Sequence, residues 1–274
     1  MSLSSAQSSE EWKQRKAAMA LENLIFKKED RIAFITLNRP EVYNALHFPL
    51  YVELAKVLEE IKMDDEIGAV ILTGAGEKAF VAGADIQELS TLDATVGWEK
   101  ARFYQGVVHR LEWLGKPSIA AINGYCLGGG LELAMACTLR VAVEKARLGL
   151  PELGFGVVPG VGGTQRLCRL VGRGKAAEML LRAKPIDAME AYRIGLVNEV
   201  VPAESLMAKA REMAGDILKN PPHAVKAAID LLLRGPESSL DNSLVFEAAL
   251  SALSFDNPET KRRLKAFLEK KNAP

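Results

Sequence analysis

Two glutamates in apolar surroundings are the residues of this sequence best suited to acid/base chemistry. Glu132 lies in GYCLGGGLELAMAC (124–137), in the first turn of a predicted apolar helix. Glu152 follows Pro151 in LGLPELGFGVVPGVGGTQRL (148–167), a stretch rich in glycine and proline. Burial among apolar side chains raises the pKa of a carboxyl group, whereas a helix N-terminus lowers it. Together the two side chains could accept and donate protons near neutral pH.

Each glutamate also has a simpler explanation. Acidic residues are common in the first turn of helices because the helix dipole favours them, so Glu132 could be an ordinary N-terminal residue. Glu152 could face solvent or pair with an arginine. The residues alone leave both explanations open.

The glycines 128–130 stand between a predicted strand, SIAAING (118–124), and the predicted helix of Glu132. This order presents free backbone N–H groups at a helix N-terminus, where they attract a bound anion or a charge that develops during a reaction. The sequence lacks GxxxxGK[ST] and GxGxxG motifs, which disfavours nucleoside triphosphates and dinucleotides as ligands. The alternative is that the glycines only permit close packing of the helix on a strand.

Composition disfavours several classes of function. Lys plus Arg and Asp plus Glu each number 35, and a net charge of zero argues against nucleic acids and anionic membranes as partners. No apolar run reaches the roughly 18 residues of a membrane-spanning helix, and the polar N-terminus lacks the core of a signal peptide. The cysteines and the three histidines lack metal-ligand spacing, and Cys126, Cys137 and Cys168 are predicted to be buried thiols. We therefore expect a cytoplasmic protein without a metal ion.

Predicted strands and helices alternate over the first 200 residues, and helices alone follow. Strands are predicted at 23–28, 31–37, 68–74, 118–124 and 139–144, and helices at 49–65, 93–114 and repeatedly after 161. This order is typical of an α/β core with a helical C-terminal portion. We predict a poorly ordered N-terminal extension over 1–21, a core over 22–200 and a helical region over 201–274.

Five motifs in order resemble the enoyl-CoA hydratase/isomerase (crotonase) superfamily, and most closely its hydratases. They are NRPEVYNAL (38–46), AFVAGADIQEL (79–89), INGYCLGGGLELAMAC (122–137), LGLPELGFGVVPGVGGTQRL (148–167) and AYRIGLVNEVVP (191–202). The resemblance covers residues 22–271. It implies an α/β spiral of ββα units with a C-terminal helical trimerisation region, assembled as a homotrimer or as a hexamer of two trimers.

The resemblance also implies roles for individual residues. The backbone N–H groups of Ala84 and Gly129 would form an oxyanion hole for a thioester oxygen. Glu132 and Glu152, both present as in hydratases, would hold one water and add it to a trans-2-enoyl-CoA, giving a 3-hydroxyacyl-CoA. Coenzyme A enters as part of the substrate, so no separate cofactor is expected. Further substrate contacts are implied at Val42, Ala82, Asp85, Ile86, Gln87 and Gly128.

Two alternatives remain at this point. One is a Δ3-Δ2 enoyl-CoA isomerase or another acyl-CoA-transforming member of the superfamily. The other is a non-catalytic acyl-CoA-binding or RNA-binding relative, against which the retained glutamates and the zero net charge both argue. The sequence does not divide the two proton transfers between Glu132 and Glu152, nor does it fix the length of the acyl chain.

Overall fold

The computed structural model describes residues 21–271. Apart from Leu21, the N-terminal extension predicted for 1–21 lies outside the described residues. The strands are β1 (Leu24–Glu29), β2 (Ile32–Leu37), β3 (Ala69–Gly74), β4 (Ala79–Val81), β5 (Ser118–Ile122), β6 (Tyr125–Leu127), β7 (Leu139–Val143), β8 (Arg147–Gly149), β9 (Ile186–Asp187) and β10 (Glu199–Val201). The α-helices are α1 (Phe48–Met63), α2 (Ile86–Leu89), α3 (Ala94–Glu112), α4 (Gly129–Ala136), α5 (Gly163–Val171), α6 (Arg173–Arg182), α7 (Ala188–Arg193), α8 (Leu206–Leu218), α9 (Pro222–Arg234), α10 (Leu240–Asp256) and α11 (Pro258–Lys271).

The strands of the described residues form two sheets, and the chain alternates between them. The six-stranded sheet has the order β1-β2-β3-β5-β7-β10, and the four-stranded sheet has the order β4-β6-β8-β9. Each long strand from β3 onwards is followed by a short strand of the other sheet, so β3, β5 and β7 lead to β4, β6 and β8. Helices follow these strand pairs, and the result is the predicted α/β spiral of ββα units.

The large sheet is buried because helices cover it, and its central strands are accordingly rich in apolar residues. The parallel strands β3 and β5 consist almost wholly of buried residues, as expected for a parallel sheet inside an α/β protein. Helix α1 packs against the sheet region with the predicted apolar face, which comprises Tyr51, Leu54, Val57, Leu58 and Ile61. The helical period of these residues therefore predicted both the element and its buried side.

The large sheet continues past residue 200, where we predicted the core to end. β10 (Glu199–Val201) crosses that position and pairs in parallel with β7. Helix α8 then packs on the sheet through Leu206, Ala210 and Ala214, all of which are buried. The division into a core and a C-terminal region stays a prediction, and the structure places α8 with the core packing.

The last two helices expose large apolar side chains. On α10 and α11 these include Leu244, Val245, Leu253, Leu264 and Phe267. Exposed apolar surface of this extent is typical of a face that associates with another protein surface. Within residues 21–271, no helix combines the length and hydrophobicity needed to cross a bilayer.

Candidate active site

The glycines 128–130 serve both backbone geometry and packing. Gly128 has φ +53° and ψ −127°, a conformation that side-chain-bearing residues rarely adopt. A Cβ on Gly130 would lie 2.6 Å from Val81 Cβ and against the Val81 carbonyl oxygen, so α4 touches β4 only because residue 130 has no side chain. Close packing is thus one real function of these glycines, and it places the N-terminus of α4 beside the end of β4.

Gly130→Ala is therefore expected to destabilise the fold by about 1–3 kcal/mol, because the new methyl group overlaps Val81. Gly97→Ala is the matched control, since it lies inside helix α3 with open space around its Cα. There the substitution is expected to add about 0.5–1 kcal/mol of stability. Urea unfolding of both variants measures these changes, and equal effects in the two would contradict the packing argument.

Two backbone amides on adjoining segments are free to bind an oxygen atom. Leu46 N–H donates to Gly83 O at 2.9 Å and Asp85 N–H donates to Leu46 O at 2.8 Å, which leaves the Ala84 amide between them without an acceptor in the described chain. Gly129 is the first residue of α4, and its amide has no acceptor within the helix. A Cβ on Gly128 would lie 3.6 Å from Gly83 Cα. Gly83 and Gly128 are therefore in contact, and the amides of the next residues in sequence, Ala84 and Gly129, lie close to each other.

Glu132 is buried and held by two backbone amides. Glu132 is only 2% exposed. Its Oε1 accepts hydrogen bonds from the Val161 and Gly163 amides, both at 2.7 Å. Burial raises the pKa of the Glu132 carboxyl, while the two amides and the Arg166 cation oppose that rise. Burial has the larger effect, so the pKa of Glu132 is raised and the group binds a proton more readily than a free glutamate, while the two amides fix the direction of its carboxylate. This arrangement suits a carboxylate that accepts a proton.

Glu152 also approaches the glycine turn, at Gly128, but its surroundings differ from those of Glu132. It begins the 3₁₀ turn Glu152–Phe155 and is half-buried. Burial raises its pKa to about 7, and the negative charge of Glu132 adds to the rise. Its Oε2 is buried without a hydrogen-bond partner among the described residues, and its Oε1 would lie 3.0 Å from a Cβ on Gly128. This arrangement suits a carboxylic acid that donates a proton.

The loop after β4 carries the other predicted substrate contacts, and the structure shows what holds that loop. Asp85 Oδ1 accepts from the Gln87 amide at 3.1 Å, and Oδ2 pairs with Arg39 at 3.1 Å, so this carboxylate ties the loop to the 38–46 segment. Ile86 and Val42 are exposed. Gln87 is exposed as well, and Ala82 is partly so. The contacts of these side chains, and of Gly128, with a substrate stay predictions.

Sequence reasoning overlooked the residues that support Glu132 and a tyrosine that reaches the site. The amides of Val161 and Gly163 were not assigned, although the GVGG stretch before α5 signals an unusual backbone, and Gly162 has φ +103°. Tyr51 was assigned only to the core. A methyl group on Gly129 would lie 3.8 Å from the Tyr51 hydroxyl, so this tyrosine reaches the site.

A second aromatic ring stands behind Tyr51. Tyr104 stacks on it with ring centroids 4.0 Å apart and donates a hydrogen bond to Glu88, whose carboxylate also accepts from the Phe48 amide at 2.8 Å. These contacts join α1, α2 and α3 around the site. No local pattern marks them, because the partners come from three separate helices.

Comparison with known proteins shows what the chain is similar to over most of its length. A family model described as enoyl-CoA hydratase/isomerase matches residues 27–274. The short-chain-enoyl-CoA hydratase of Clostridium acetobutylicum is 47% identical over 92% of this chain and 97% of that protein. The crotonyl-CoA hydratase of Syntrophomonas wolfei is 42% identical over 93% of this chain and 98% of that protein. The crystal structure of an enoyl-CoA hydratase from Bacillus anthracis superposes with a TM-score of 0.88 at 39% identity, covering 91% of this chain and 97% of that one.

Proposed function

The chain belongs to the enoyl-CoA hydratase/isomerase family, and from this premise we propose that it adds water across the C2=C3 bond of a short trans-2-enoyl-CoA. The product is a 3-hydroxyacyl-CoA. The observation that carries the proposal is the pair formed by Glu132 and Glu152 at one glycine turn: two amides hold the Glu132 carboxylate, and one oxygen of Glu152 is buried without a hydrogen-bond partner among the described residues.

The two free amides supply the electrostatic part of the reaction. The Ala84 and Gly129 N–H groups donate to the thioester oxygen, which gains negative charge as water adds to C3. Donors fixed before the reaction stabilise that charge, and loss of one typically costs about 10²- to 10³-fold in rate. The N-terminus of α4 adds a favourable dipole at the same position.

The glutamates then divide the two proton transfers. The Glu132 carboxylate accepts one proton of the water as its oxygen bonds to C3. The Glu152 carboxylic acid donates its proton to C2. The product thus gains H at C2 and OH at C3, and the two carboxyl groups return to their starting states by exchanging one proton through the next water. The amides on Glu132 and the unpaired Oε2 of Glu152 support this division.

A short acyl chain fits the groups that crowd Gly129. A methyl group on this residue would lie 3.2 Å from Leu46 Cδ1 and 3.8 Å from the Tyr51 hydroxyl. Tyr51 cannot move easily because it is buried and stacked on Tyr104. The names of two relatives, a short-chain-enoyl-CoA and a crotonyl-CoA hydratase, point to the same substrate size.

The proposal extends to assembly and location. We propose a homotrimer, or a hexamer of two trimers, in which the apolar side chains exposed on α10 and α11 are covered by a second copy. A cytoplasmic location is proposed because Cys126 and Cys137 are buried free thiols, as is usual in a reducing compartment. Light scattering after size-exclusion chromatography tests the assembly.

Crotonyl-CoA hydration, followed by the loss of absorbance of the conjugated thioester, tests the proposed activity. Enoyl-CoAs of increasing length are assayed alongside, and the reaction is repeated in ¹⁸O-labelled water. We expect fast hydration of crotonyl-CoA, slower hydration of longer chains and one labelled oxygen in the product. An isomerase would rearrange a 3-enoyl-CoA without incorporating solvent oxygen, and that result would replace the hydratase assignment.

The pH dependence of kcat/KM is expected to show a decline on the alkaline side with an apparent pKa near 7. The reason is that Glu152 must be protonated to supply the proton at C2, and its pKa lies at about 7 in the free protein. Initial rates of hydration between about pH 5 and pH 9 measure this. A rate that stays constant through the alkaline range would remove Glu152 from the role of acid.

A further inference from the structure

Behind Glu132 lies an ion pair that the proposed reaction does not use. Arg166, on α5, binds Glu112, at the end of α3, through two parallel hydrogen bonds: Nε to Oε1 at 2.8 Å and Nη2 to Oε2 at 2.7 Å. The two side chains are 16% and 20% exposed, so the pair is mostly shielded from water. A bidentate pair of this kind fixes direction as well as distance.

The third nitrogen of Arg166 connects this pair to the loop that holds Glu132. Nη1 donates to the Val161 carbonyl oxygen at 3.0 Å. That carbonyl belongs to the peptide between residues 161 and 162, which stands between the two peptides whose N–H groups bind Glu132. Holding the middle peptide therefore restrains both donors.

The loop is further restrained from α3 and by its own glycine. Gln105 Nε2 donates to the Gly160 carbonyl at 2.9 Å, and this carbonyl shares a peptide with the Val161 amide that binds Glu132. Gly162 has φ +103°, and a Cβ there would collide with Arg166 Nη1. The glycine thus lets the loop turn back far enough for the guanidinium to reach the Val161 carbonyl.

We propose that Arg166, held in place by Glu112, is a positioning residue for Glu132: it fixes the loop peptides whose amides orient the Glu132 carboxylate. The inference rests on the proposed role of Glu132 as the base in hydration. It goes beyond that role because Arg166 and Glu112 touch neither the substrate nor the reacting water in the proposed reaction.

The pair also sets the charge around Glu132. The charged and titratable groups facing Glu132 are Arg166 from α5, Glu152 from the 3₁₀ turn and Tyr51 from α1. Arg166 is the cation among them and favours the ionised form of Glu132. Glu112 partly neutralises that cation, and the His109 ring lies 3.8 Å from Glu112 on its exposed side.

The two partners therefore have opposite electrostatic effects on Glu132, which a purely structural pair would not produce. Arg166→Gln removes the cation and is expected to move the acidic decline of kcat to higher pH. Glu112→Gln leaves the cation less neutralised and is expected to leave that decline in place or move it to lower pH. Both variants loosen the loop, so kcat should fall by about 10- to 100-fold with KM changed less than about threefold.

Arg169→Gln is the matched control. Arg169 lies one turn further along α5 and forms an exposed pair with Glu237, without contact to the loop at 160–163. Its kcat and pH profile should equal those of the wild type. Gln105→Leu loosens the loop without changing its charge, so we expect a several-fold lower kcat and an unchanged acidic decline. If Arg166→Gln does not fold, Gln105→Leu and Glu112→Gln together test the proposal.

Infrared titration of the protonated carboxyl band that is lost in Glu132→Gln gives a readout independent of activity. The proposal predicts a higher titration midpoint in Arg166→Gln and no increase in Glu112→Gln. Unchanged midpoints in both variants, or activity losses that only follow losses of thermal stability, would overturn it. If the wild type fails to hydrate crotonyl-CoA, the proposed function fails, whereas the infrared midpoints still decide whether Arg166 acts on Glu132.

Discussion

Glu152→Gln is expected to lower kcat for crotonyl-CoA hydration by about 10²- to 10⁴-fold, the usual contribution of general acid–base catalysis. Glutamine cannot supply an acidic proton to C2, while its size and shape preserve the 3₁₀ turn that begins at this residue. Glu204→Gln, in an exposed turn, is the control and should retain full activity. A Glu152→Gln variant with more than about a tenth of the wild-type kcat would show that the proton comes from elsewhere.

The same substitution is expected to stabilise the protein at alkaline pH. The fold raises the pKa of Glu152 to about 7, from about 4.3 in an unfolded chain. The ionised form is therefore disfavoured in the fold: the cost is absent below pH 4, grows as the pH rises between the two values and is complete above pH 7. With allowance for solvent screening, Glu152→Gln should gain about 1–2 kcal/mol at pH 8 and almost nothing at pH 4.

Urea unfolding at both pH values measures this gain, with Glu204→Gln again as the control. A gain that is equal at the two values would mean that the charge of Glu152 is not what the fold disfavours. A gain at pH 8 together with the loss of kcat would show that one unpaired carboxyl group is retained for reactivity at the expense of stability.

Local patterns of the sequence were sufficient for two elements beside the site, helices α1 and α4. The helical period of Leu54, Val57, Leu58 and Ile61 predicted α1 and its buried face, and these residues are buried. The apolar neighbours of Glu132 likewise predicted its burial, which the 2% exposure confirms. Such predictions succeed because burial of one side of an element leaves a short-range record in the sequence.

Strand order and the support of the glutamates depend on contacts between distant residues. β4, β6 and β8 have three residues each, too few to show a period, yet together with the two-residue β9 they form the second sheet. Val161 and Gly163 bind Glu132 across 29 and 31 positions, and Arg166 binds Glu112 across 54. Without the resemblance to a known family, nothing in the local sequence pairs these residues.

The structure also gives a reason for the proposed assignment of the two proton transfers, which the sequence left open. Glu132 and Glu152 are both glutamates near a glycine turn, but two amides of the 160–163 loop hold Glu132, whereas Oε2 of Glu152 is buried without a hydrogen-bond partner among the described residues. Burial raises the pKa of both carboxyl groups, and their different hydrogen-bond partners suit them to serve as base and acid in one reaction. Their titration is coupled, so the apparent pKa values of the activity profile belong to the pair.

Glu132→Gln and Glu132→Ala are expected to lose activity alike and to differ in stability. Both lack the carboxylate that accepts the proton of water, so kcat should fall by about 10²- to 10⁴-fold in each. The side-chain oxygen of glutamine can still accept from the Val161 and Gly163 amides, whereas alanine leaves both amides without that acceptor. Each buried, unpaired amide costs about 1–3 kcal/mol, so Glu132→Ala should unfold at a clearly lower urea concentration than Glu132→Gln.

Hydration rates and urea unfolding of the two variants together separate the role of Glu132 as a base from its role in holding the loop at 160–163. Retained activity in Glu132→Gln would assign the base to another residue, whatever its stability. Equal stability of the two variants would mean that the loop at 160–163 does not depend on Glu132 for its position. The expected pattern, equal losses of kcat with unequal stability, requires that one carboxylate both accepts the proton and anchors the loop, because a residue with only one of these tasks would change only one of the two measurements.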